Sequence, residues 1–256
     1  MKPLVTVVVP HHLNKNDEYL KWCLKSILAS TYVDLEVFCI SDADLIPSIP
    51  GDSRLELIWD KELTNVTKKW HYGIKQASSS SQYVMLISDD VMVSKFTIGE
   101  LARTIDDSNM ILSPASNCDA TTRYHASFHI GYGEGNTIRV PLKCSLDDIK
   151  NYENAVIDHS PGQRILIDPG WVSFYCTLFP KKVLEAVGDF DEHLDVRYND
   201  VDYCHRARAL GIPSLIHLGV FALHFGDKTL PLCTTQEEYA KADAAYRQKY
   251  HSQLSC

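Results

Sequence analysis

The sequence predicts an α/β fold, a mostly parallel central sheet flanked by helices. Three observations carry that prediction. Short runs rich in β-branched residues recur between Leu4 and Ile87, which suits strands buried on both faces. Helix-period segments alternate with them, the pattern of an α/β domain. Polar clusters follow the strands directly: Pro10-His11-His12, Ser41-Asp42-Ala43-Asp44 and Ser88-Asp89-Asp90. Ligands of open α/β sheets bind beyond the carboxyl ends of the strands, so these clusters converge on one edge.

Each element can be justified in turn. Leu4–Val9 reads as the first strand, ended by Pro10. Asn16 and Asp17 can cap a helix running to about Ser30, with Leu20, Leu24, Ile27 and Leu28 on its apolar face. Strands are expected over 35–40, 55–59 and 83–87, with a helix over 64–78 between the last two. From Pro114 to Pro161 the chain is rich in Ser, Asn, Asp, Gly and His and reads as irregular. Within it, Gly131-Tyr132-Gly133-Glu134-Gly135 resembles a dinucleotide fingerprint but has Asn136 where the pattern needs its last glycine and lacks a strand-to-helix context, so it reads as a loop. Strands are expected again over 165–168 and 171–179, then a short helix over 183–187 closed by Gly188. Asn199 is expected to cap a helix over 200–210, with Gly211 and Pro213 beyond its end. A strand over 215–225 and a helix over 237–252 complete the chain. No repeat or linker interrupts it. It reads as one domain of two halves, over about 1–92 and about 93–256.

Composition narrows the function. The chain has 256 residues, 45% hydrophobic and 23% charged, a globular balance. Its net charge of −8 is the wrong sign for gripping nucleic acid through phosphates. No apolar run approaches the ~20 residues that span a bilayer. Leu4–Val9 is too short for a signal-peptide core, and none of the eight cysteines forms C-x-x-C. The expectation is a cytoplasmic protein with reduced, buried thiols. Asn65-Val66-Thr67 is a glycosylation sequon by pattern only.

Four groups could do chemistry. Asp89 and Asp90 adjoin at a strand end, where adjacent carboxylates repel unless a cation or donors compensate; solvated turn aspartates are the simpler alternative. Asn199-Asp200-Val201-Asp202 opens a helix. Capping explains one or two of these residues, and a carboxylate kept ionised at a helix N-terminus also suits a general base. His224 ends the apolar run from Val220, where a core histidine is the ordinary reading. Trp171 could stack on a sugar ring or simply fill the core.

Together these residues resemble the inverting GT-A glycosyltransferases of family 2. The likeness begins with Val5–Pro10 and the strand Leu35–Ile40 ending in acidic residues, and continues with Met85–Val91, which is similar to the family's DXD segment. It is most specific over Gly170–His224: Val187-Gly-Asp-Phe-Asp-Glu192, then Asn199-Asp-Val-Asp202, Arg206, Gly211 and His224. Four positions depart from the family pattern. Ser88 replaces the first Asp, Asn199 the Glu before the base, Ser41 one of two aspartates, and His71 an Asn before Gly73.

The resemblance implies a hexosyltransferase-type enzyme that uses a nucleotide-sugar donor, by family habit UDP-linked, and an acceptor hydroxyl on a carbohydrate or other molecule. It implies Mn²⁺ or Mg²⁺ held by Asp90 and His224, with Asp200 as catalytic base. Pro10, His11, Asp42, Asp89 and Asp90 would bind the donor, and Trp171 and Asp202 the acceptor. By the same reading the half over about 1–92 binds the nucleotide-sugar and that over about 93–256 carries the acceptor side. The resemblance leaves residues 115–165 unaccounted for; with Tyr124, His125, His129 and Tyr132 they are a candidate lid or acceptor loop. Two alternatives stand beside this. A nucleotidyltransferase should carry a glycine-rich loop after its first strand, but 10–15 contains no glycine. A non-catalytic nucleotide- or sugar-binding module should tolerate loss of Asp200.

Overall fold

The computed structural model describes residues 2–12, 18–42, 51–117, 127–132, 136–141, 144–195, 197–226 and 235–251. The first half runs β1 (Leu4–His11), α1 (Glu18–Leu28), β2 (Asp34–Ser41), β3 (Leu55–Trp59), α2 (Val66–Gln76), β4 (Tyr83–Ile87), β5 (Val91–Val93), α3 (Thr97–Ile105) and β6 (Ile111–Ser116). The second half runs β7 (Ser127–Tyr132), β8 (Asn136–Pro141), α4 (Leu146–Ile157), β9 (Leu166–Ile167), β10 (Cys176–Pro180), α5 (Lys181–Val187), α6 (Asn199–Ala209), β11 (Ser214–His224) and α7 (Gln236–His251). A 3₁₀ turn at Glu192–Leu194 precedes α6.

Among the described residues nine strands form one sheet in the order β3-β2-β1-β4-β10-β6-β11-β5, with β9 alongside β11. The β3-β2-β1-β4 half is parallel, as the β-branched runs predicted. The β6–β11 pair is parallel too, while β10, β5 and β9 join antiparallel. β1 shows why the sheet is covered on both faces. Val5, Val7 and Val9 pack with α1 and α3 residues on one side, and Val8 packs with Trp70, Phe179 and Tyr203 on the other. Gly73 lets α2 lie against that second face: a Cβ there would fall 2.5 Å from a methyl of Val8. Gly219 plays the same part in β11, where the carbonyl of Gln163 would lie 2.2 Å from an added Cβ. The β11 register shifts between His217 and Phe221 at that point.

Several expectations change. β1 does not stop at Val9 but runs through Pro10 to His11. Its pairing with β4 ends at Val8, so Pro10 sits where only β2 continues the ladder and its missing N–H is tolerated. Of the strand expected over 171–179, only Cys176–Pro180 is extended. Residues 171–175 form a loop after Gly170 (φ +96°), with Val172, Phe174 and Tyr175 buried by side-chain packing rather than by a ladder. Asn199 does not cap α6. Tyr198 holds that position with φ +67°, and Asn199 is the first helical residue. The region expected to be irregular contains the β7–β8 hairpin and α4, whose Ser145–Asp148 capping box was a readable signal. Gly131 and Tyr132 lie in β7, which leads to a strand and not to a helix. Residues 133–135, Tyr124 and His125 lie outside the described residues, as do Asp44, Asn16 and Asp17.

Cys23, Cys39, Cys176 and Cys204 are free and buried, and Cys144 is buried too. Burial pushes the Cys39 thiol up to about 12 and the Cys204 thiol to about 11, which makes both poor nucleophiles. Asn65 accepts a hydrogen bond from the Lys68 N–H at 2.8 Å, so the sequon asparagine caps α2. No helix among the described residues is long and apolar enough to cross a membrane.

Candidate active site

The carboxyl ends of β1, β2 and β4 bring three polar clusters together. At the end of β4, Asp89 accepts a hydrogen bond from His11, Nδ1 to Oδ2 2.6 Å, with both side chains buried. Predicted as separate donor-binding residues, the two form one pair across the strand ends.

Asp42, just beyond β2, is engaged through both oxygens. His12 Nδ1 lies 2.7 Å from Oδ2 and Lys69 Nζ 3.3 Å from Oδ1. Lys69 reaches there from α2, is fully buried, and donates to the carbonyl of His11 at 2.7 Å. Burial opposes ionisation of Asp42, but hydrogen bonds from His12 and Lys69 hold its carboxyl below the usual range. Sequence reasoning missed Lys69. The signal available was a lysine at a position that helical spacing puts on the sheet-facing side of α2, beside Trp70 and Gly73.

Asp90 and His224 meet at the other end of the site. Asp90 Oδ1 lies 3.3 Å from His224 Nε2. Antiparallel β5–β11 pairing sets this distance, with His224 opposite Val91, and Phe225 donates its N–H to the Asp90 carbonyl at 3.0 Å. The His224 backbone is fastened on both sides by Asn117, whose side chain accepts from its N–H at 2.9 Å and donates to its carbonyl at 3.0 Å. Tyr175 stacks flat on the imidazole, ring centroids 5.0 Å apart at 9°. Asn117 and Tyr175 were not anticipated, because neither lies near His224 in sequence.

This pair fits a small divalent cation. Two atoms each about 2.1 Å from one ion lie at most about 4.2 Å apart, and a carboxylate oxygen with an imidazole nitrogen is a donor set for Mn²⁺ or Mg²⁺. Among the described residues no cluster of three or more His, Cys, Asp or Glu side chains gathers at one point, so two protein ligands would leave the remaining positions to other oxygens.

Asp200 stands in the first turn of α6, half-buried, its N–H donating to the Asn199 side chain at 2.8 Å and its carboxylate accepting from the Val201 N–H at 2.8 Å. The segment before it packs against α2. Asp195 accepts from the Thr67 N–H of α2 at 2.7 Å, and the Asn199 amide donates to the Asp195 carbonyl at 3.1 Å. Burial raises the Asp195 carboxyl above its ordinary range.

The Gly-Asp-Phe-Asp-Glu stretch before α6 is also explained physically. Phe190 is buried against Tyr203, with ring centroids 4.3 Å apart, and packs beside Trp70 and Phe174. Asp191 caps the 3₁₀ turn through the His193 N–H. His71 accepts from the Phe190 N–H at 3.1 Å.

Asp202 does not lie where an acceptor-binding residue was expected. It is fully buried and receives Arg206 Nε at 2.9 Å, Tyr250 Oη at 2.6 Å and Lys249 Nζ at 2.7 Å. A carboxylate with both oxygens so engaged joins α6 to α7 instead of meeting an acceptor. Trp171 is partly buried and packs against the Phe174–Phe190–Tyr203 core.

The fold is of the GT-A type. The chain belongs to the family described as glycosyltransferase like family 2, which it matches over residues 3–251. Comparison with curated proteins gave no match. Two solved structures are similar in fold. One is GalNAc-T7 with UDP, GalNAc and Mn²⁺: TM-score 0.61, 11% identity, 87% of this chain and 44% of that one covered. The other is the mannosyltransferase PcManGT from Pyrobaculum calidifontis with GDP-Man and Mn²⁺: TM-score 0.57, 15% identity, 89% of this chain and 58% of that one. The chain thus spans under two thirds of the length of either.

Proposed function

We propose that the protein transfers a sugar from a nucleotide-diphosphate sugar, with UDP as the first candidate, to an acceptor hydroxyl with inversion at the anomeric carbon. The observation that carries the reading is the Asp90–His224 pair, 3.3 Å apart at the ligand-binding edge of a family 2 fold. Asp90 and His224 are the residues that would hold Mn²⁺ or Mg²⁺. Such an ion supplies neutralisation of the diphosphate leaving group, which an acidic protein needs.

Pro10 and His11 form the strand end beside the donor, with Asp89 behind His11. Asp42, fixed by His12 and Lys69, faces the nucleoside end. The acceptor oxygen attacks the anomeric carbon, the bond from that carbon to the diphosphate oxygen breaks with its electron pair, and Asp200 takes the acceptor proton. Trp171 contributes its exposed part to the acceptor side, and of the stretch 115–165 the part between β6 and α4 is left as the candidate lid or acceptor loop that keeps water out. The buried free thiols support a reducing, cytoplasmic setting.

The test is a melting panel with UDP, GDP, CDP and dTDP, each with Mn²⁺ or EDTA. Ligand at 100 times its Kd adds about 2.7 kcal/mol of stability. A shift with one nucleotide that needs Mn²⁺ and is abolished by Asp90→Ala is the expected result. No shift under any condition overturns the donor reading and favours a binding module for another ligand.

A further inference from the structure

We infer that the C-terminal helix α7 sets the position of Asp200, acting through a stack of Tyr246 on Tyr198; the functional half of this rests on the reading of Asp200 as the base. Tyr198 occupies the left-handed region, φ +67° and ψ 0°. That conformation is uncommon for a residue with a side chain and costs about 1 kcal/mol or more, so a surrounding contact must hold it. The contact is Tyr246, whose ring lies 4.3 Å from that of Tyr198 at 20°. Tyr250 packs on Tyr246 in turn, with centroids 4.7 Å apart.

The conformation of Tyr198 decides where α6 begins. Its carbonyl accepts the Asp202 N–H at 2.7 Å, the first turn-closing hydrogen bond of that helix. Asp200 lies inside the turn so closed. A shift of Tyr198 to an ordinary φ would redirect the chain entering α6 and swing the Asp200 carboxylate with it.

α7 grips the same segment on both sides of Asp200. Upstream, Lys249 reaches Asp191 at 2.8 Å and Asp243 pairs with Arg197 at 3.3 Å. Downstream, Lys249 and Tyr250 hold the buried carboxylate of Asp202. Meanwhile α7 adds little to the core: of its described side chains only Ala242 is buried. A helix that buries so little, yet concentrates its contacts on 191–205, orients that segment more than it stabilises the fold.

The experiment compares Tyr246→Ala and Tyr246→Phe in the full chain. Hydrogen exchange of the Val201, Asp202 and Tyr203 amides should quicken at least tenfold in Tyr246→Ala. Amides of β4 and β11 should be unchanged, and Tyr246→Phe should restore protection. Unchanged protection at 201–203 overturns the inference, and so does loss of protection throughout the sheet, since that would make Tyr246 a general stability residue.

Function is read as donor hydrolysis, with water as the acceptor whose proton Asp200 takes: UDP or GDP release from UDP-glucose, UDP-N-acetylgalactosamine and GDP-mannose with Mn²⁺. Tyr246→Ala should lower kcat at least tenfold with donor KM within twofold, and Tyr246→Phe should recover it. If Asp200→Asn releases nucleotide like the wild type, the base reading fails while the exchange result still decides the positional part; if no donor turns over, the exchange result alone decides it. If Asp200→Asn is inactive and Tyr246→Ala is not, the positioning inference fails alone.

Discussion

The imidazole of His11 and the carboxylate of Asp89 meet at 2.6 Å, joining the ends of β1 and β4 where both side chains are buried. The contact turns two predicted ligand residues into an internal support for the strand edge that carries Asp90.

His11→Ala should therefore lose stability and not only ligand affinity. Removing a hydrogen-bond partner from a buried carboxylate costs about 1–3 kcal/mol. Urea unfolding followed by circular dichroism would measure this, and a midpoint equal to that of the wild type would show that the pair does not support the edge.

Lys69 lies beneath Asp42 and His12, fully out of solvent. Lys69→Met is expected to weaken binding of UDP or GDP in Mn²⁺ by roughly tenfold, the scale of losing one hydrogen bond to a charged group. Titration calorimetry with each nucleotide gives the readout. Unaltered affinity for both would remove the Asp42 end from the donor site.

Asp200→Asn should lose about 10²- to 10⁴-fold in transfer rate, the usual contribution of a general base, while nucleotide binding in Mn²⁺ survives. Single-turnover transfer beside a binding isotherm separates the two. Near-wild-type transfer would exclude Asp200 as the base.

The α7 clamp should open in acid. Although burial opposes it, hydrogen bonds from Lys249 and His193 hold the Asp191 carboxyl down to about 2. A carboxyl depressed in the folded state from 3.8 stabilises that state fully above the unfolded value, and the stabilisation is lost as pH falls through the folded one. Limited proteolysis with pepsin between pH 4.5 and 2 should thus release the end of α7 progressively. Asp191→Asn should shed it already at pH 4.5. Cleavage independent of pH in both proteins would contradict the clamp.

Much of this was legible in sequence for definite reasons. Leu4–Val9 and Tyr83–Ile87 are fully apolar or β-branched runs, Leu35–Ile40 is one but for Glu36, and they became parallel neighbours in the sheet. Asp90 and His224, more than a hundred residues apart, were joined by resemblance, and strand pairing then brought them to 3.3 Å. What stayed hidden depends on distant partners. Asp202 reads as an acceptor-side carboxylate until Lys249 and Tyr250 arrive from α7. Tyr198 in a left-handed cap has no local signal, because its cost is met by Tyr246. Residues 171–175 look extended because packing on an aromatic core leaves the same apolar mark as a ladder.

The place of β10 in the sheet has a consequence for biosynthesis. β4 is paired on one side by β1 and on the other by β10, and β10 is encoded roughly 90 residues later, about 5–20 s of ribosome travel. Until then the nascent chain presents an apolar strand with an open edge, the kind of template on which other chains aggregate. Premature termination before Cys176 should yield insoluble fragments instead of a stable nucleotide-binding half, and overexpression should benefit from slower translation or added chaperone more than from any change at the catalytic edge.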